Sequence, residues 1–253
     1  MGNMQDNVKI DLTNINSERG SSGFPGRWIG GISLILGPIL LLIGVLLRIR
    51  FHFFFPEQLI AYQEHPQLMF WSFSAYNAGI LLLWPAVLTV IRSIHKTRPG
   101  WATWGGCFVI FGLFARTFHA GVDHLSFQLV RIQGLDSAIN AVAESYGAYH
   151  IFSMLNLAIL LGWVVLAIGA YLSNTLNLVS AIALALMSSL PLGVLKGTTV
   201  FSVVAVAGLC LAFIPHGVKV LRDGPKPALR NVLFTVILSI LLVYVFYFFG
   251  QAG

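Results

Sequence analysis

The chain of 253 residues is 57% hydrophobic and only 9% charged, with a mean hydropathy of +0.82. Soluble domains carry about 25% charged residues, so this composition excludes an ordinary soluble fold. The formal net charge of +6 comes from basic residues that flank apolar stretches, a pattern typical of membrane orientation signals that argues against nucleic acid as a partner.

Residues 1–26 form a polar leader for which the composition predicts disorder. The rest of the chain, 27–253, contains several apolar stretches that reach the roughly 20 residues needed to cross a bilayer. The predicted spans are 28–47, 69–91, 101–128, 144–172, 175–194, 198–220 and 230–249. We therefore predict one all-α domain, a polytopic transmembrane helical bundle of about seven spans.

The stretch 175–220 is the one whose division the sequence leaves open. Pro191, Gly193 and Gly197 lie in its middle, and all three are residues that interrupt helices. They fit either a turn between two short helices or a single broken helix.

The orientation follows from the basic residues between the predicted spans. With seven spans, most of these Lys and Arg residues fall on the same side as the N-terminus. Cytoplasmic segments are enriched in Lys and Arg, so we predict that the N-terminus lies inside and the C-terminus outside. The predicted location is an integral multi-pass position in a membrane (the cell membrane if the protein is bacterial), with the lipid bilayer as a partner.

The predicted outer loop, 48–67, is rich in aromatic residues, among them Phe51, Phe53, Phe54 and Phe55. Apolar residues further along the loop recur at helical spacing. We interpret the loop as an interfacial segment on the outer leaflet, with its rings at the level of the headgroups. The alternative is a lid over an outward-facing cavity.

Four ionisable residues within or at the end of the third span indicate a functional site, namely Arg116, His119, Asp123 and His124. An ionisable side chain in hydrocarbon costs on the order of 2.5–3.5 kcal/mol on insertion scales, so these residues need polar partners or water. Arg116, His119 and Asp123 follow i, i+3, i+7 spacing, which places them on one helix face. His124 is turned about 100° from Asp123.

Polar residues of the second and fourth spans fall at the same height in the predicted topology. They are Ser72, Ser74, Tyr76, Asn77, Glu144, Tyr146, Tyr149, His150, Ser153 and Asn156. Sequential helices joined by a short loop pack side by side, so we expect a polar, outward-facing pocket between spans two, three and four.

The leading interpretation of this pocket is a metal-dependent membrane enzyme that acts on a lipid-like or other apolar substrate. His119, His150 and His124 are the candidate ligands for Zn, Cu or Fe, because imidazole suits all three metals. Asp123 or Glu144 is the candidate third ligand or general base, and Arg116 the candidate contact for an anion.

Two other interpretations remain open. A b-type haem held between His119 and His150, with Arg116 beside a propionate, would make the protein a redox protein. A non-enzymatic protein, either a carrier or an immunity or resistance factor, would use the same polar residues as satisfied partners around a water-accessible cavity.

Overall fold

In a computed structural model, the described residues are 23–145, 150–223 and 229–251. Their regular structure is helical, which confirms the predicted all-α class. The α-helices are α1 (Gly26–Leu47), α2 (Glu57–Glu64), α3 (Pro66–His95), α4 (Pro99–Gln133), α5 (Leu135–Ser145), α6 (Asn156–Leu172), α7 (Leu178–Ala185), α8 (Val200–Arg222) and α9 (Leu229–Gly250). Short 3-10 turns, Ile151–Leu155 and Leu186–Ser189, extend α6 and α7. Most of the predicted leader lies outside the described residues.

Six of the seven predicted spans correspond to helices that are long and apolar enough to cross a membrane. They are Gly26–Leu47, Pro66–His95, Pro99–Gln133, Ile151–Leu172, Val200–Arg222 and Val232–Gly250. The fifth predicted span, 175–194, contains a shorter apolar helix, Leu178–Ser189. The protein is therefore an integral, multi-pass helical membrane protein.

The chain divides into two compact units, residues 1–221 and residues 222–253. The second unit contains α9, whose apolar part, Val232–Gly250, has a mean hydropathy of 2.7. Its residues are predominantly apolar around the whole helix, as in a membrane span. The candidate site lies in the first unit.

Glycines allow the long helices of the first unit to approach closely. A Cβ atom added at Gly44 of α1 would lie 2.7 Å from the backbone nitrogen of Tyr76 in α3. A Cβ added at Gly162 of α6 would lie 2.8 Å from the backbone nitrogen of Val109 in α4. Small residues at such interfaces are how membrane helices gain packing contact without a hydrophobic driving force.

These contacts define the two ends of the first unit. The last turn of α1 packs beside the first half of α3, and the Thr198 hydroxyl, just before α8, donates to the carbonyl of Val45 at 3.1 Å. We call this the Arg48 end. At the opposite end, Gly31 of α1 lies against Gly217 of α8, so α1 and α8 run antiparallel.

The chain crosses the first unit between α6 and α8 by an interrupted route. Helix α6 ends beside Trp101, because Gly169 packs on that residue. Trp101 lies in the first turn of α4, which starts at the end opposite to Arg48. Helix α7 starts there, the 3-10 turn ends at Ser189, and a non-helical segment, 190–199, reaches the Arg48 end. The 12 residues of Leu178–Ser189 (8 in α7 and 4 in the turn) extend only about 20 Å. Pro191, Gly193 and Gly197 therefore lie between two separate helices, α7 and α8, which is the first of the two alternatives that they predict. The fifth crossing of the first unit consists of the short helix α7, its 3-10 turn and the non-helical segment 190–199.

The loop 48–67 packs against the protein over much of its length. It contains α2, in which Gln58 and Leu59 are fully buried. The Tyr62 ring stacks on Phe127 of α4 with 4.5 Å between centroids, whereas Phe54 is 55% exposed. The segment therefore has both a packed part, α2, and an exposed aromatic side chain, and its interfacial position and the lid alternative both stay predictions.

We predict that the Gly162→Ala substitution destabilises the bundle by about 1–3 kcal/mol, because the new methyl group would press on the backbone of α4. Gly121→Ala is the matched control, since a Cβ at Gly121 has nothing within 4 Å and alanine is the better helix former. Thermal unfolding of the purified chain in detergent measures both. Equal unfolding midpoints for the two variants would contradict the packing argument.

Candidate functional site

One face of α4 carries three buried ionisable residues, in agreement with their spacing. Arg116, His119 and Asp123 are 7%, 8% and 8% exposed. His124 lies on the exposed face of the same helix, and Glu144 is exposed near the end of α5. The structure therefore brings three of the six candidate site residues together on one surface and separates His124 and Glu144 from it.

Arg116 binds the point at which the fifth crossing stops being helical. Its Nη2 donates to the carbonyl of Leu190 and its Nη1 to the carbonyl of Pro191, both at 3.0 Å. These carbonyls directly follow the 3-10 turn and have no further helix to supply a donor. A cation is also favoured at the C-terminal end of a helix by the helix dipole. Arg116 thus caps the C-terminal end of α7 and its 3-10 turn, which together we call the half-helix.

Asp123, about two turns farther along α4, binds the same segment. Its Oδ1 accepts a hydrogen bond from the backbone N–H of Leu195 at 2.6 Å. Leu195 has a φ of 51° and Gly193 a φ of 105°, so the segment bends sharply through the left-handed region here. A non-glycine residue in that region carries local strain that its surroundings must offset. The carboxylate of Asp123 holds this strained amide in place.

Arg48 joins this group from the end of α1. Its guanidinium carbon lies 4.3 Å from the ring centroid of Phe73 and 4.7 Å from that of Tyr76, both on α3. Tyr76 also accepts a hydrogen bond on its hydroxyl from Arg116 at 3.3 Å. We name Arg48, Tyr76, Arg116, Asp123 and the segment 190–199 the charged cluster.

The protonation state of Arg48 is set by opposing effects. Burial lowers the pKa of the Arg48 guanidinium below its usual value, and the nearby Tyr76 hydroxyl and Asp123 carboxylate oppose that shift. A guanidinium nevertheless stays protonated in proteins. The charged cluster therefore holds two cations, Arg48 and Arg116, and one carboxylate.

His119 and His150 share one aromatic neighbour. The ring of Phe118 is 6.1 Å from that of His119 and 4.7 Å from that of His150, measured between centroids. In the described ranges, no group of three or more His, Cys, Asp or Glu residues is arranged to hold a metal ion. The metal site at His119, His150 and His124, and the haem alternative, stay predictions.

The fourth predicted span contributes less than its polar stripe indicates. Tyr146 and Tyr149 lie outside the described residues. Of the others, Ser153 is half-buried and Asn156 is exposed. His150 is half-buried, and its Nδ1 atom is buried without a hydrogen-bond partner in the part of the chain that the structure describes.

Two members of the charged cluster escape the sequence-based prediction. Arg48 is the first residue of the predicted outer loop, 48–67, and nothing in its spacing links it to α4. The one signal is that a basic residue in an outer loop runs against the positive-inside rule. The backbone of residues 190–195 carries no side-chain signal, and only Pro191 and Gly193 mark it as interrupted. Ser72, one of the polar residues of the second predicted span, joins α3 to α1, since its hydroxyl donates to the carbonyl of Gly44 at 2.6 Å.

Comparisons of this chain with protein-family models, with curated proteins and with solved structures found no match.

We predict that Arg116→Met destabilises the fold by about 2–5 kcal/mol, because the carbonyls of Leu190 and Pro191 lose their cationic donor. Arg116→Lys should recover only part of this loss, since an ammonium group cannot bind both carbonyls with the geometry of a guanidinium. The unfolding midpoint in detergent measures both variants. His124→Ala, on the exposed face of α4, is the control, and Arg116→Met with the same midpoint as that control would refute the capping role.

Proposed function

We propose that the protein is a membrane carrier whose binding site is the charged cluster beside the interrupted fifth crossing. The observation that carries this proposal is the pair of contacts that Arg116 and Asp123 make with the unwound backbone of residues 190–195. Many secondary transporters build their substrate sites from discontinuous helices whose unwound backbone and half-helix ends face the ligand. The carrier is the non-enzymatic interpretation that the sequence leaves open.

The cost of the interruption supports this proposal. Non-helical backbone at membrane depth is tolerated only where protein buries it or where it lines a water-filled cavity. A continuous helix would satisfy the same backbone groups without any ionisable residue. Arg116 and Asp123 are buried charges that bind this unwound segment, and burying them costs free energy. A role of the segment in binding or movement explains this cost better than stability alone does.

The arrangement of contacts also supports movement. Segment 190–199 is held by discrete polar contacts, with Arg116, with Asp123, and between the backbone N–H of Gly197 and the carbonyl of Phe53 at 2.8 Å. Contacts of this kind can be exchanged between two arrangements, which is what alternating access requires.

Cysteine accessibility at Leu192 tests the carrier proposal without knowledge of the substrate. Leu192 is half-buried within the unwound segment. In a background with Cys107→Ser and Cys210→Ala, we expect Leu192→Cys to react with a membrane-impermeant maleimide added from either side of proteoliposomes. A carrier exposes its site alternately to both sides, so both reactions should reach completion.

Leu184→Cys is the control for that experiment, because Leu184 is fully buried in α7 and should stay unmodified from both sides. Modification of Leu192→Cys from one side only would exclude alternating access. That result would favour an enzyme or a binding protein with a pocket open to one face.

The metal-dependent membrane enzyme, acting on a lipid-like substrate, is the second candidate. It is favoured by one observation, the position of the His119 and His150 rings on the shared neighbour Phe118. In this candidate His119 and His150 hold the metal with one further ligand, and a carboxylate such as Asp123 or Glu144 acts as the base.

Metal analysis of the purified full-length chain tests this candidate. One equivalent of Zn, Cu or Fe in the wild-type protein, lost in both His119→Ala and His150→Ala, is the expected result for the enzyme. His124→Ala should retain the metal, because His124 lies on the opposite face of α4. A metal content unaffected by these substitutions would reject this candidate, and a Soret absorption band would select the haem protein instead.

A further inference from the structure

Two nitrogens of the Arg48 guanidinium have no hydrogen-bond partner among the described residues. The side chain is only 4% exposed, and its Nε and Nη1 atoms are both fully buried and unpaired. Its neighbours there are the rings of Phe73 and Tyr76. Unused donors on a buried cation are costly, because the group has lost water without gaining a replacement.

The charge of the cluster points to the same residue. Among the residues that the structure describes, the buried ionisable side chains are those of Arg48, Arg116, His119, Asp123 and His216. Asp123 is their only carboxylate, and it already accepts the N–H of Leu195. Two guanidinium groups and one carboxylate leave an excess of one positive charge, to which a protonated histidine would only add.

Arg48 and Arg116 differ in how their donors are used. Arg116 donates to Leu190, Pro191 and Tyr76, so it is occupied with protein groups. The Arg48 guanidinium packs against the Phe73 and Tyr76 rings and has two nitrogens without an acceptor among the described residues. A structural role therefore explains the contacts of Arg116 but does not explain the unpaired donors of Arg48.

Arg48 lies beside a surface segment of the chain. It directly follows α1 at the end of the bundle, and the next two residues, Ile49 and Arg50, are exposed, although the guanidinium itself is buried. Asp123, which holds the strained Leu195 of the unwound segment, lies near the guanidinium.

We propose that Arg48 is the ligand-contacting residue of the charged cluster and that the ligand is an oxyanion, a carboxylate or a phosphate. Guanidinium groups bind both oxyanions through several charge-assisted hydrogen bonds. The ligand supplies the missing negative charge and the missing acceptors together. This inference rests on the proposed carrier function and names the class of its substrate.

The test uses the full-length chain in phosphatidylcholine nanodiscs. Sodium acetate and sodium phosphate are titrated against sodium chloride at equal ionic strength, and the thermal unfolding midpoint is recorded. A ligand that binds only the folded state raises this midpoint in a dose-dependent manner. We expect acetate or phosphate to raise it by several degrees beyond chloride.

Arg48→Gln should abolish this shift, and Arg50→Gln should retain it. Arg50 is the matched control, because it lies two residues away on the same linker and is exposed. The inference is overturned if neither acetate nor phosphate shifts the wild-type midpoint, or if Arg48→Gln responds as the wild type does.

A second variant separates ligand binding from a structural role. Arg48→Met keeps an unbranched side chain of similar length and removes the unpaired donors. Without added anion, we expect its midpoint to equal or exceed that of the wild type. A midpoint several degrees lower would show that Arg48 stabilises the fold itself and would refute the proposal.

Lipid composition distinguishes the two sources of an oxyanion. If the ligand is a lipid headgroup, nanodiscs with phosphatidylglycerol should raise the unfolding midpoint of the wild type and remove its response to free phosphate. Arg48→Gln should show neither effect. If the ligand is a soluble anion, the response to free acetate or phosphate persists in both lipids. The two proposals can fail separately. If Leu192→Cys is labelled from both sides but Arg48→Gln keeps the anion response of the wild type, the carrier is supported and Arg48 is refuted as its anion contact.

Discussion

The hydrogen bonds from Arg116 to the carbonyls of Leu190 and Pro191 are the interaction on which the rest of the site depends. In hydrocarbon, each unsatisfied backbone group costs several kcal/mol, so a crossing segment cannot stop being helical without a partner for its last carbonyls. Arg116 is that partner. Its own place is set by α4, which packs closely on α6 through Gly112 and Gly162.

The interruption in turn decides which residues meet. Because segment 190–199 is not helical, it runs from the end of the 3-10 turn to the start of α8 and passes Asp123 on the way. The carboxylate is then engaged by a backbone amide, and Arg48 is left beside it with unused donors. A continuous helix in this position would have brought neither the amide nor the two carbonyls to α4.

The buried ionisable residues therefore fall into two groups with different chemistry. Arg116 and Asp123 replace the backbone partners that a helix would have provided, and their loss should appear mainly as lost stability. Arg48 contributes charge and donors that the protein itself does not use, which is the property expected of a group that meets a ligand. His119 and His150 share the aromatic neighbour Phe118.

The amino-acid sequence by itself determined the membrane class, six of the seven predicted spans and the shared face of Arg116, His119 and Asp123, because length, hydropathy and helical spacing are local properties. Pro191 and Gly193 also marked where the fifth crossing breaks. The sequence did not reveal that Arg116 binds backbone carbonyls some 75 residues later in the chain, since a carbonyl has no side-chain signature. Only the tertiary structure brought Arg48 into the cluster, because its position depends on how α1, α3 and α4 pack and on where the chain turns after α1.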